Sequence, residues 1–181
     1  MSALDSAGAM AGLTLFQNVV TDLYELAKDR TSRKLKKWNA ENKIRELYKN
    51  IAEVRKVKTI WQVDKPVDLM EFYCDSHVKI DGSRRVVRSL EDFGSKENLL
   101  IEGIAGQGKS IFLRYLCATE LARGEYIPLF VELRHIDESQ SLEDRILTAF
   151  RGLGLEVDEN LCDTLMESGK VLLLLDAFDE I

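Results

Sequence analysis

An eight-residue stretch, Gly103 to Ser110, constrains this chain more than any other. It reads Gly-Ile-Ala-Gly-Gln-Gly-Lys-Ser, which fits the spacing G-x-x-x-x-G-K-S. An apolar run, Asn98 to Glu102, precedes it and a helical pattern follows it, so we expect a strand, a glycine-rich loop and a helix. Glycines adopt positive φ and carry no Cβ, so successive backbone N–H groups can close on phosphate oxygens. The sequence therefore predicts a phosphate-binding loop.

The residues of this loop have separate predicted roles. The Lys109 ammonium is expected to reach the β and γ phosphates of a nucleotide, aided by the positive end of the helix that begins there. The Ser110 hydroxyl is expected to bind Mg²⁺, and Gln107 to offer only its backbone amide. A glycine-rich turn without a ligand is the competing interpretation, which the strand–loop–helix context disfavours. The predicted nucleotide-binding set is Gly103, Ile104, Ala105, Gly106, Gln107, Gly108, Lys109, Ser110 and Ile111.

A second signal lies in the last stretch, Val171 to Glu180. Its apolar residues predict a strand buried on both faces that presents Asp176 at its C-terminal edge, where ligands of parallel sheets bind. Asp176 is therefore expected to face the Mg²⁺ held by Ser110. Asp179 and Glu180 follow closely enough to orient or deprotonate a water, and the sequence leaves open which of the two does so. Together with Lys109 they are the predicted catalytic residues. A solvated loop or a helix cap would explain these acids in the absence of a phosphate-binding loop.

These motifs resemble those of NACHT-type signal-transduction ATPases of the STAND class, especially the bacterial, NLR-like ones. The resemblance covers about Leu90 to Ile181 and includes the strand Ile127 to Arg134; its most specific mark is the small Ala177 after the acid. It implies that Gly103 to Ser110 and Asp176 bind ATP and Mg²⁺. It also implies a partial P-loop NTPase fold, with a three-layer, mostly parallel α/β sheet, and a switch that is activated by oligomerisation.

The resemblance also sets expectations about what this chain lacks. The family carries further strands, a winged helix and a sensing array, so we expect an N-terminal fragment that ends at the Walker B acids, or a partner that covers the edge of the last strand. The fragment is expected to bind ATP but to hydrolyse it poorly. Guanine is disfavoured because the one string similar to N-K-x-D, Asn42 to Arg45, lies before the loop and ends in Arg.

The rest of the chain suggests an N-terminal helical domain over residues 1–62, a linker over 63–89 and the NTPase core over 90–181. Residues 1–12 are expected to fray, and a short helix is expected over Val67 to Cys74, after a boundary at Asp64 to Pro66. Asp81-Gly82 predicts a tight turn between extended pieces. Two N-terminal helices are expected, and the second begins near Arg33. The apolar stripe of the first helix consists of Leu13, Phe16, Val20, Leu23, Tyr24 and Ala27. The stripe of the second helix consists of Ile44, Leu47, Ile51 and Val54.

Charge divides the chain unequally. The first 60 residues hold 12 Lys and Arg against 7 Asp and Glu, whereas the whole chain has a net charge of −6. The basic run Arg30 to Lys37 could attract nucleic acid or an acidic partner, but a solvated helix face is favoured because stacking aromatics other than Trp38 are missing. Cys74, Cys117 and Cys162 are interpreted as small buried hydrophobic residues rather than as ligands or disulfide partners, and a metal site at the two histidines is disfavoured.

Two functions remain open from the sequence. The first is an ATP-binding signalling switch, which the resemblance to bacterial NACHT proteins places in defence against phage. Self-association or a protein partner is expected to use its N-terminal helices. The second is a non-catalytic interaction module whose nucleotide is structural. Without a membrane span or a signal peptide, a cytoplasmic location is expected. The trigger, the effector and the base-contacting residues cannot be predicted.

Overall fold

The computed structural model describes residues 3–27, 41–59, 62–94, 98–135 and 140–178. Single 3-10 turns span Glu53–Arg55, Leu69–Glu71, Leu90–Phe93 and Leu133–His135. The helices and strands, in chain order, are α1 (Ala3–Ala27), α2 (Glu41–Ala52), β1 (Lys56–Thr59), β2 (Gln62–Asp68), β3 (Ser76–Ile80), β4 (Ser83–Val87), α3 (Lys109–Arg123), β5 (Ile127–Glu132), α4 (Leu142–Gly152), α5 (Glu159–Glu167) and β6 (Val171–Asp176).

Helix α1 begins at Ala3, so the prediction of a frayed start up to Gly12 is wrong. The segment is rich in alanine, the residue with the highest helix propensity, and this outweighs its glycines. Gly12 lies inside the helix for a packing reason, because an added Cβ would lie 2.5 Å from the carbonyl oxygen of Ala122 in α3. The backbones of α1 and α3 therefore approach more closely than a side chain would allow.

The apolar stripe predicted for the second helix is buried inside this chain. Ile44, Leu47 and Ile51 of α2 belong to the same hydrophobic core as Leu116 of α3 and Leu129 of β5. Helix α2 is described only from Glu41, and the predicted beginning near Arg33 lies outside the described residues. The stripe is thus a packing seam between the N-terminal helices and the segment that follows the glycine-rich loop, and it is not available to a partner.

The segment between the N-terminal helices and the loop corrects two predictions. The boundary expected at Asp64 to Pro66 lies inside β2, which pairs antiparallel with β1, and the short helix expected over Val67 to Cys74 is a single 3-10 turn. Pro66 is tolerated because each strand of a two-stranded sheet is an edge strand. The tight turn is confirmed: Asp81 (φ 49°) and Gly82 (φ 83°) connect β3 and β4 in an antiparallel hairpin.

The sheet of the NTPase region is smaller than predicted. A mixed α/β fold is confirmed, and β5 pairs parallel with β6 from Ile127↔Val171 to Glu132↔Asp176. Asn98 to Glu102 was expected to form a strand, but it pairs with none of the described strands, and Leu100 is 72% exposed. An isolated strand is not stable without a neighbour to accept its backbone hydrogen bonds. The three-layer sheet therefore stays a prediction.

Strand β6 was expected to be buried on both faces, and this is only partly correct. Leu174 and Asp176 are buried, whereas the other residues of the strand are half-buried. The reason is that β5 covers one edge of β6 while a cavity of about 820 Å³ lies along it on the other side. That cavity also lies next to residues 98–103.

The helix limits in the same region agree with their sequence signals. Gly124 (φ 68°) ends α3, and Gly169 (φ 66°) follows α5. The Ser141 hydroxyl and the Asp144 carboxylate form a reciprocal cap at the start of α4, and the Asp158 carboxylate accepts the Leu161 N–H at the start of α5. Across the described ranges, no helix combines the length and the apolar character that crossing a membrane requires.

Candidate nucleotide-binding site

The glycine-rich loop has the backbone shape that its sequence predicts. Gly106 (φ 79°) and Gly108 (φ 81°) are both left-handed, and a Cβ added to either would meet no atom within 4 Å. Helix α3 starts directly at Lys109, and no side chain of a described residue caps its N-terminus. Among the described residues the start of α3 is thus left without a side-chain cap, which suits a site for an anionic ligand.

Two side chains stabilise this loop, and the role of one of them was missed. The Lys109 ammonium donates to the Gly103 carbonyl at 2.7 Å. The Gln107 side-chain oxygen accepts the Ile104 N–H at 3.0 Å, while the Gln107 N–H donates to the Ile104 carbonyl at 3.3 Å. Gln107 therefore closes the loop with its side chain as well as its backbone. A Cβ on Gly103 would lie 2.7 Å from that side-chain oxygen, so a larger residue there would displace the end of the Gln107 side chain.

Asp176 borders the cavity that also reaches this loop. It ends β6, it is 4% exposed, and it lines the same cavity as Gly103 and Lys109. Within the described residues no donor bonds its carboxylate, whereas the opposite acid, Glu132 of β5, pairs with Arg114 at 2.5 Å. Among the described residues the Asp176 oxygens are not fully enclosed atoms without a partner, so they open on the cavity. A carboxylate in this place is suited to bind a cation from the cavity side.

The residue after Asp176 adopts an unusual backbone. Ala177 has a φ of 62°, one of two non-glycine residues with positive φ among those described. A residue with a Cβ loses about 1–2 kcal/mol in this conformation, and branched side chains are less tolerated still. The turn gives a physical reason for a small residue here and leaves Phe178 largely exposed at the rim of the cavity. A sequence alone cannot show the φ that makes the small residue necessary.

The residues present fit a nucleotide with its divalent cation. In the described part of the chain, no group of three or more His, Cys, Asp and Glu residues could hold a metal ion alone. Mg²⁺ bound with nucleotides takes one or two protein ligands and completes its shell with phosphate oxygens and waters, so Ser110 and Asp176 are a suitable pair. Ser110 is exposed as the second residue of α3, beside the loop. The interpretation of the cysteines as buried residues is confirmed for Cys117 and Cys162 and is wrong for Cys74, which is exposed. Burial raises the pKa of Cys117 to about 12.

The opposite end of the cavity carries a charged cluster that was not predicted. Glu120 of α3 is 1% exposed, and its carboxylate accepts the Leu90 N–H at 2.8 Å. Burial raises the pKa of Glu120 above its usual range, although Arg123 acts in the opposite direction. Arg123 also pairs with Glu91 and with Glu125. The cluster ties the 3-10 turn Leu90–Phe93 to the last turns of α3, and its contact across 30 residues has no local sequence signal.

Some predicted residues cannot be compared with the structure. Asp179 and Glu180, expected to act on a water, lie outside the described residues. The same holds for the basic run of Arg30, Arg33, Lys34, Lys36 and Lys37. Their roles stay predictions, and so do the limits of the three predicted segments.

An open glycine loop at the start of a helix, next to a strand that ends in a buried aspartate, defines the class of P-loop NTPases. Within that class, residues 97–181 match the family model described as the NACHT domain. Residues 97–181 are therefore a NACHT-type P-loop NTPase fragment, a nucleotide-binding class of domain. The match confirms the resemblance inferred from the motifs. No curated protein and no solved structure matches the chain.

Proposed function

We propose that this chain is an ATP-binding signal-transduction switch that acts in bacterial defence against phage. ATP with Mg²⁺ is bound by Gly103 to Ile111 together with Asp176, in the cytoplasm, and activation proceeds through self-association. The observation that carries the proposal is the position of Asp176, a buried carboxylate without a donor among the described residues, on the same cavity as Lys109.

The loop supplies the binding energy for the phosphates. Its left-handed glycines leave the backbone N–H groups at the start of α3 accessible, and the helix dipole favours negative charge there. In the nucleotide-free loop Lys109 bonds the Gly103 carbonyl, so its ammonium already lies at the mouth of the loop. In the proposed complex it turns to the β and γ phosphates, and Gln107 keeps the loop closed around them.

Hydrolysis needs more than these residues. Phosphoryl transfer depends on charge positioned around the γ phosphate and on a group that orients the attacking water. Asp179 and Glu180 are proposed for the second role. Slow turnover fits a switch, because the state with bound ATP must last long enough to be sensed by other molecules.

A melting experiment tests the binding step. With Mg²⁺ and ATP at 100 times the dissociation constant, the folded state gains about 2.7 kcal/mol, which raises the melting temperature measurably. Lys109→Ala should abolish this shift, while Lys79→Ala, which changes an exposed lysine of the β3–β4 hairpin, should leave it unchanged. GTP should give a smaller shift than ATP. Equal responses to ATP in wild type and Lys109→Ala would contradict the proposal.

A further inference from the structure

The β3–β4 hairpin is a basic segment of an acidic chain. The chain as a whole has a net charge of −6, whereas residues 76–88 contain one acid, Asp81, and four bases, Lys79, Arg84, Arg85 and Arg88. The hairpin also lies before residues 97–181, the part that matches the NACHT model. Neither that match nor the nucleotide site therefore accounts for the charge of the hairpin.

The pairing of the two strands gives the hairpin a face on the core and a face in solvent. Ile80 is buried and belongs to the hydrophobic core. Side chains alternate along a strand, and directly opposed residues share a face. The face away from Ile80 therefore carries two opposed pairs, His77↔Val86 and Lys79↔Arg84. We call these four residues the outer face, and all of them except the half-buried Val86 are exposed.

Lys79 and Arg84 lie opposite each other without a compensating acid. Like charges directly across two strands destabilise a hairpin. Within the described ranges no ion pair includes either residue, or the exposed Arg85 that follows in β4. By contrast, Arg88 beyond the end of β4 pairs with Asp75 at 2.5 Å. The chain has 31 acids and 25 bases, so acids are not scarce. The opposed cations are therefore suited to an anion from outside the chain.

The side chains of the outer face favour one class of polyanion. The Lys79 ammonium and the Arg84 guanidinium are donors that suit phosphate oxygens. The exposed His77 adds an aromatic ring, and unpaired bases stack on such rings and on guanidinium planes. An acidic protein would leave the ring unused, and a duplex keeps its bases stacked inside. We propose that the outer face binds single-stranded nucleic acid, with Lys79 and Arg84 on its phosphates and His77 against a base.

Fluorescence anisotropy tests this on the full 181-residue chain without nucleotide, so its outcome is independent of the proposed ATP site. The probe is a fluorescein-labelled oligothymidylate of about 20 nucleotides, long enough to cover more than one binding site of ordinary size. We expect saturable binding that weakens as the salt concentration rises, because phosphate contacts release counterions. No binding at about 50 mM salt would overturn the proposal.

Charge variants locate the nucleic acid. Lys79→Gln combined with Arg84→Gln should weaken binding about tenfold and reduce the slope of log affinity against log salt by about 1.4, since each phosphate contact with a single strand contributes about 0.7. The matched control is Lys49→Gln combined with Arg151→Gln, which removes one exposed lysine and one exposed arginine outside the hairpin. Its affinity should change less than about twofold. Circular dichroism checks that both proteins are folded. Equal affinities of the two folded proteins would overturn the proposed location.

Competitors and a ring variant identify the class of ligand. The same strand paired with its complement, and polyglutamate of similar charge, should each compete at least about tenfold less well than the single strand, because neither offers an unpaired base. Equal competition by the duplex or by polyglutamate would overturn the proposal in favour of double-stranded nucleic acid or an acidic protein. His77→Ala should weaken binding of the single strand about fivefold or more, and an unchanged affinity would overturn the stacking contact.

Discussion

Glycine has opposite uses at the two ends of helix α3. At its beginning Gly106 and Gly108 are left-handed and a Cβ on either would meet nothing within 4 Å. At its end Gly124 is left-handed too, but a Cβ there would lie 2.5 Å from the Cβ of Leu15 and 2.8 Å from the Phe16 backbone nitrogen. The first end keeps space open for a ligand, whereas the second lets α1 approach.

This difference separates function from stability along one helix. Changes at the beginning of α3 should alter the response to nucleotide at a modest cost in stability. Changes at its end should lower the free energy of unfolding and leave the nucleotide response of the folded protein intact. Glycine substitutions test this separation directly. For each substituted glycine the chain offers a control glycine that shares either its φ or the open space around an added Cβ.

The largest effect is expected from Gly124→Ala. Left-handed strain costs about 1–2 kcal/mol and overpacking against α1 a further 1–3 kcal/mol, so the free energy of unfolding should fall by about 3 kcal/mol. Gly169→Ala is the control, since Gly169 has almost the same φ (66°) and a Cβ there would meet nothing within 4 Å. It should lose only about 1–2 kcal/mol in urea unfolding. Equal losses would show that α1 does not pack closely on Gly124.

The features that were predicted from the sequence are set by neighbouring residues. The turn at Asp81-Gly82 depends on residues within one turn of the backbone. The loop and Asp176 belong to the same group, because both follow from a motif and an adjacent hydrophobic pattern. The NACHT match supports the prediction of a nucleotide-binding domain on these grounds.

The features that were not predicted depend on distant parts of the chain. The close approach of α1 to Gly124 and the Glu120 contact with Leu90 join segments far apart in sequence. The strand expected over Asn98 to Glu102 is not formed, for a related reason. Its apolar pattern is that of a strand, but a strand is stable only next to another strand with which it can pair. The conformation of Ala177 belongs to this group too, since composition does not reveal φ.

A smaller effect on stability is expected at the beginning of α3. Gly108→Ala places a Cβ at φ 81° in open space, so strain alone should lower the free energy of unfolding by about 1–2 kcal/mol. In the proposed site the loop closes on phosphates through this conformation, so the ATP-induced rise in melting temperature should be lost. Gly152→Ala is the matched control: its site is equally open, its φ is not left-handed, and it should keep the ATP response. A full ATP response in Gly108→Ala would mean that the left-handed turn is not needed for binding.

The smallest effect is expected from the titration of Glu120, the buried acid near the end of α3. Burial raises its pKa above the ordinary value of 4.5, so the folded protein holds this proton more tightly than the unfolded chain does. The stabilisation is complete below pH 4.5 and is lost as the pH rises through the raised pKa. Glu120→Gln is neutral at every pH and keeps an acceptor for the Leu90 N–H, so its stability relative to wild type should increase across that window. Urea unfolding of both proteins at several pH values measures the difference, in which the acids common to both cancel. If wild type instead gains on the variant as the pH rises, the ion pair with Arg123 outweighs burial, and the end of α3 is stabilised by charge rather than by packing.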